Sequence, residues 1–421
     1  MKIYDGLSKT LTACVLLCFL AWTEPGVAEI RAAAGHRIVT PELGVYMAGY
    51  GHNRKAEGVL DPLFLKGVLL ADEATSVLIL TLDSIGLTRP EIRFITQQLQ
   101  VADPKLRVLF SSTHTHAGPD VVGLWGPSIW SSGADPDYVA LLVASAVDLH
   151  NSLRTALQPA HLSIGSKQHT QQWVENVSEP DLLDATLTVL RVANPAGETL
   201  ATLTNFACHP TVLGPENTHL SADYVAGFYA AMSRHGDGEH LFLQGAIGGW
   251  VQPLQGDRSY ERAQQLGIQL AQEVTGMVPQ MKAMQDSPLV FKEQEFDVPL
   301  DNWGFRLMLA LGNLDRNLYG GWLGMEAMRT ATAYLKIGEL EMVSHPGETS
   351  PYFSHASRAL LQAEHTMVLG LTQDALGYIL KEAYFSDPDI PHASYLTSVS
   401  AGEQTGQRLM QAIRDNLANN N

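Results

Sequence analysis

Strand-length apolar runs and helical patterns alternate along this chain, and that order limits what it can fold into. Runs rich in Val, Leu, Ile and Thr at 63–71, 76–82, 107–112, 186–192, 200–206 and 332–343 predict strands. Amphipathic spacing predicts helices near 89–99, 138–157, 222–234, 260–274, 352–363 and 402–416. The mixed order predicts an α/β fold of the mixed α+β kind. No long polar linker breaks it, so one large domain is expected over residues 29–421. Of 421 residues, 45% are hydrophobic and 17% charged, which suits a single extensive core. A net charge of −17 argues against a broad nucleic-acid-binding surface, and nothing implies a protein partner.

The first 28 residues predict a cleaved secretory leader. Lys2 and Lys9 precede an apolar run from Leu11 to Trp22, and Pro25, Gly26, Val27 and Ala28 follow, with cleavage expected after Ala28. The run is short for a membrane span, although an uncleaved anchor is the alternative. Loss of the leader removes Lys2, Lys9, Asp5 and Glu24, so the charge stays at −17, and Cys208 is left as a single thiol. A secreted or periplasmic, bacterial, water-soluble protein is expected.

Polar residues follow three of the apolar runs. The run ending at Ser112 leads into Thr113-His114-Thr115-His116-Ala117-Gly118-Pro119. Two His at i and i+2 of an extended chain point to one side, so His114 and His116 can converge, or they are simply satisfied His at a strand exit. The run ending at Phe206 leads into Ala207-Cys208-His209-Pro210-Thr211, and the run ending at Val343 leads into Ser344-His345-Pro346-Gly347-Glu348. His114, His209 and Glu348 would make a two-His, one-carboxylate metal shell at strand ends, with a place left for water. Glu348 alternatively caps the helix expected after it. Asp223 is either a first-turn carboxylate of a helix or a residue that orients a ligating His.

These motifs resemble the catalytic domain of the neutral (alkaline, non-lysosomal) ceramidases. Ser111–Pro119 is similar to the family's S-x-T-H-T-H-S-G-P, and Asn205-Phe206-Ala207-Cys208-His209-Pro210-Thr211 to its second His motif. Gln244–Pro253 resembles its Gly-rich segment, Pro346-Gly347-Glu348 its P-G-E, and Asp374–Ile379 the segment that supplies a tyrosine. Met47-Ala48-Gly49-Tyr50-Gly51 and Leu60-Asp61-Pro62-Leu63 are early landmarks. The likeness runs from about Ala33 to the C-terminus, which implies a chain without the family's extra C-terminal β-sandwich domain.

The resemblance implies one zinc held by His114, His209, Glu348 and Tyr378, with His116 contacting the substrate or the oxyanion. It departs from the family at Gln252, which stands where the family has a Ser, and at Trp250, which stands for an acidic residue. Asn176-Val177-Ser178 places Val where the family has an Arg. The implied activity is zinc-dependent hydrolysis of an acyl amide, as in sphingolipid metabolism, by metal-activated water. His116 and Tyr378 would be catalytic. Gly248, Gly249, Gln252 and Asp223 would support substrate, oxyanion or ligands, unless the Gly-rich turn is only structural. Aromatic residues at 124–130 and 303–325 would line an acyl pocket, touch a membrane surface peripherally, or pack as core or lid. Two rivals stand beside this: a zinc deacylase or esterase for carbohydrate or peptide substrates, and a secreted binding protein with a structural zinc.

Overall fold

The computed structural model describes residues 29–170, 172–285, 288–313, 316, 318–320 and 326–418. Residues 1–28, where a leader is expected, with Cys14 and Cys18, lie outside the described residues, as do 314, 315, 317 and 321–325 of the second aromatic segment.

Among the described residues, three five-stranded sheets carry the fold. The first runs in the order Leu106–Ser112, Ser76–Leu82, Phe64–Ala71, Arg31–Ile38 and Gln158–Pro159. The second runs Glu239–Gln244, Thr199–Phe206, Thr186–Ala193, His161–Gln168 and Lys282–Ala283. The third runs Leu289–Pro299, Ala327–Ile337, Leu340–Ser344 and His365–Leu369, with Leu318–Tyr319 also paired to Ala327–Ile337. Each sheet is antiparallel except for one parallel pair at an edge. A parallel pair needs a crossover. Helices Arg89–Ala102, Tyr224–His235 and Pro351–Arg358 supply the three. Local chemistry sets where they begin: Glu91 accepts from the Thr88 N–H at 2.8 Å, Asp223 accepts from Tyr224, and Ser350 from Tyr352.

All three sheets contribute to one interior. Val68, Val77 and Leu109 of the first meet Leu190, Leu203 and Leu241 of the second and Leu335, Met342 and Met367 of the third. Helices cover the outer side of the first two sheets through residues such as Ile92, Leu149, Phe228 and Leu270. The exits of the parallel strands are tied together by main-chain bonds. Ser112 N–H donates to Leu371 O, Leu371 N–H to Gly347 O, Gly370 N–H to Gln244 O, and Gly245 N–H to Phe206 O. One convergence point therefore serves all three sheets.

The expected strands and helices are present, with one split. The run 332–343 is a hairpin of Ala327–Ile337 and Leu340–Ser344, closed by the Ile337–Leu340 pair. The chain turns at Gly338, whose φ of 51° suits a residue without a side chain. The helix expected over 352–363 stops at Arg358, and the last helix spans Thr405–Ala418.

Candidate metal centre

His114 lies two residues beyond the strand Leu106–Ser112. The sequence reading expected extended chain there. Instead the Thr113 and His114 N–H groups donate to Leu82 O and Ser84 O, both at 2.9 Å, which pulls the chain off its ladder. His114 then adopts a left-handed φ of 68°, uncommon for a residue with a side chain. Convergence with His116 survives by this other route, with the two Nε2 atoms 3.3 Å apart.

His209 follows the strand Thr199–Phe206. Its main-chain N–H and its ring Nδ1 both reach Val251 O, at 2.9 and 2.6 Å. Glu348 enters from the third sheet and is paired in parallel register with Tyr378. Its N–H donates to Gly377 O at 2.9 Å. The helix that follows is capped by Ser350, so Glu348 is not its cap. The Glu348 Oε2 atom lies 3.0 Å from His209 Nε2 and 3.4 Å from His114 Nε2. Ligand atoms of His114, His116 and His209 all lie within 4.8 Å of one another.

The proton count at this point is informative. His114 Nδ1 is 2.6 Å from Ile85 O, as His209 Nδ1 is from Val251 O. A carbonyl oxygen only accepts, so both Nδ1 atoms carry the proton. In their neutral forms both rings then present bare lone pairs at Nε2, aimed at a carboxylate that also only accepts. Burial favours the neutral ring of His209 and lowers its pKa. In these forms the rings bring neither a charge nor a proton to Glu348 Oε2, although both Nε2 atoms lie within 3.4 Å of it. Acceptors without a shared proton fit a cation at their centre. Imidazole nitrogens fixed from behind by carbonyls, with one carboxylate, are a zinc-type donor set.

His116 differs from its neighbours. Its Nδ1 is buried without a hydrogen-bond partner. Burial, and then the nearby His114 and His209, push its pKa well below the ordinary value. The ring packs edge-on against Tyr50 at 4.9 Å, and Arg54 lies 4.8 Å above the Tyr50 ring. Arg54 donates to the His116 carbonyl at 2.5 Å. Gly49 makes room for this, because a Cβ there would sit 2.4 Å from His116 Cγ. Sequence reasoning missed the roles of Tyr50 and Arg54; Gly49-Tyr50 stood out only as a landmark. The Tyr378 hydroxyl bonds with Glu348, and burial followed by the Glu348 charge raises its pKa well above the usual phenol value.

Four expected site residues stand elsewhere. Gly248 donates its N–H to Thr349 O at 2.9 Å, and a Cβ on it would lie 2.4 Å from Glu348 O. It backs the Glu348 segment. Gly249 packs near Tyr384 and Asn176. The Gln252 side chain donates to Glu175 at 3.2 Å. None of these three lines the cavity beside the imidazoles. Asp223 does not touch a His ring; it accepts from Val212, Leu213 and Tyr224 and so fixes the loop that follows His209.

A cavity of about 90 Å³ adjoins His114, His116, Glu348 and Tyr378. Its other walls are largely apolar and include Trp125 and Phe305 from the two aromatic segments. Trp130 and Trp303 of the same segments are 60% and 73% exposed. Among the described residues, no helix is long and apolar enough to cross a membrane.

No protein-family model matches the chain, and no curated protein matches it in sequence. Solved structures do. Neutral ceramidase from Pseudomonas aeruginosa superposes with a TM-score of 0.76 at 16% identity, over 92% of this chain and 74% of that one. A structure described as ceramidase complexed with C2 gives 0.73 at 15% identity, over 92% of this chain and 75% of its own. The mixed α/β fold expected from the order of strand and helix patterns is therefore one that these ceramidases share over 92% of this chain.

Proposed function

We propose that the protein is a zinc-dependent hydrolase of N-acyl amides. The observation that carries this is the cluster of bare imidazole nitrogens around one anionic carboxylate, open to an apolar cavity. Its ceramidase fold neighbours and the strand-exit motifs support an acyl amide as the bond cut. The leader-like first 28 residues support action outside the cytoplasm, with residues 29–421 as the working domain.

His114, His209 and Glu348 would hold the metal, with Tyr378 beside them. A metal bound there would supply Lewis acidity toward the carbonyl and lower the pKa of a water. Glu348 would supply the anionic ligand between the two rings. Tyr378 stays protonated and can donate to an oxygen that gains charge. His116 is set apart because no carbonyl fixes its tautomer; a neutral ring at this place can accept a proton and return it to the departing amine. Apolar walls exclude bulk water and strengthen each of these interactions.

Metal content and turnover test the reading together. Purified protein should carry about one zinc per chain by elemental mass spectrometry, and His209→Ala should lose most of it. Hydrolysis of an N-acyl amide should stop on chelation and return with zinc. No zinc after reconstitution, or hydrolysis indifferent to chelation, would sink the proposal.

A further inference from the structure

The cavity beside the metal centre has a definite size and several fixed walls. It offers about 90 Å³. A water-sized group takes up roughly 10–15 Å³ of such space, so roughly six to nine non-hydrogen atoms fit. The amide itself uses three of them. Pockets that enclose drug-sized ligands start at roughly 300 Å³.

The walls are held in place. The Trp125 N–H donates to Asp120 at 2.8 Å, and the same buried carboxylate accepts from Val122 and Gly123. Met328, Leu371 and Leu376 are each 2% exposed and belong to packed clusters. Among the described residues, Arg316 is the one charged wall residue outside the metal centre. It pairs with Asp374, whose side chain is fully buried, and donates to Ala375 O. Asp374 is further held by Thr330 and by the Arg89 N–H, at 2.8 and 2.9 Å. A long alkyl chain directed at these walls would have to part this buried ion pair or dislodge Trp125. Removing the partner of a buried charge is costly.

We infer that the cavity selects a short acyl group, with about three to six carbons beyond its carbonyl, in place of a long fatty chain. This rests on the amide-hydrolase reading and narrows its substrate to short-chain N-acyl amides. Phe305 forms a wall from the end of the helix Trp303–Ala310 and is only partly buried, so it is the wall residue that can be cut back with least damage.

The test is a series of N-acyl amides of one amine, with saturated acyl groups from two to sixteen carbons. The zinc-loaded protein should show its highest kcat/KM at about six carbons or fewer, with at least a roughly tenfold fall by twelve. Phe305→Ala should move the optimum to longer chains. A kcat/KM that rises steadily to sixteen carbons in the parent would overturn the inference and leave the hydrolase reading standing. Thermal shifts with the matching free carboxylic acids separate the two ideas. Stabilisation by short acids and not by long ones, with no amide hydrolysed, would keep the pocket and remove the hydrolase. Equal stabilisation by long acids would overturn the pocket.

Discussion

Two carboxylates of this protein each face two basic side chains, and they are not alike. Glu239 opens the strand Glu239–Gln244; its oxygens lie 2.6 Å from His36 Nδ1 and 3.1 Å from Lys66 Nζ. Lys66 brings a proton and a charge to that contact. Glu348 instead faces His114 and His209, which have already given their ring protons to Ile85 O and Val251 O. The first cluster is complete as an ion pair. The second is a set of acceptors suited to a cation. Residue type alone does not separate a structural charge cluster from a ligand shell; the direction of each ring N–H does.

Breaking the second cluster should have the largest effect. Glu348→Gln keeps the shape and removes the anion. Metal per chain should fall steeply and kcat/KM by on the order of a thousand-fold. Full metal with unchanged turnover would end the distinction. His116→Ala comes next and sharpens it. Zinc should be retained while kcat falls about a hundred-fold. If zinc leaves as well, His116 is a ligand and three imidazoles form the shell.

The smallest effect belongs to the first cluster. Burial raises the Glu239 carboxyl, but the His36 hydrogen bond and the Lys66 charge prevail and bring it down to about 2 from 4.5. A depressed acid favours the folded state while ionised. Its contribution is therefore full above the unfolded value and is lost as pH falls through about 2. Glu239→Gln should cost about 2 kcal/mol near neutrality and flatten the acid limb of a denaturation series. Zinc content should not change. Zinc loss in this variant would mean the two clusters are coupled.

The strands that carry ligands were legible because each is an apolar run that stops at a polar motif. His114, His209 and Glu348 sit just past such stops. Tyr378 was visible only through family likeness, since its two-residue strand has no periodicity to read. The hairpin at Gly338 was read as one strand because the apolar pattern continues through the turn. Arg31–Ile38 has Ala and Gly where strand formers are expected; its eight-residue ladder with Phe64–Ala71 decides its state. Leu289–Pro299 lies at a sheet edge and carries the unbroken polar run Lys292-Glu293-Gln294-Glu295 in its middle, which hides its length. The partners that fix the imidazoles could not be read at all, because they are main-chain carbonyls of Ile85 and Val251 and any residue carries one.

Those two carbonyls also bear on how the centre competes with hydrogen ions. An exposed imidazole must shed a proton before it can bind metal, so its affinity falls as the surroundings acidify. In this protein, burial has lowered the pKa of His209, and its Nδ1 proton is already held by Val251 O. Uptake of a metal therefore liberates little acid, and the centre should keep its ion in mildly acid surroundings where a surface cluster of the same residues would give it up.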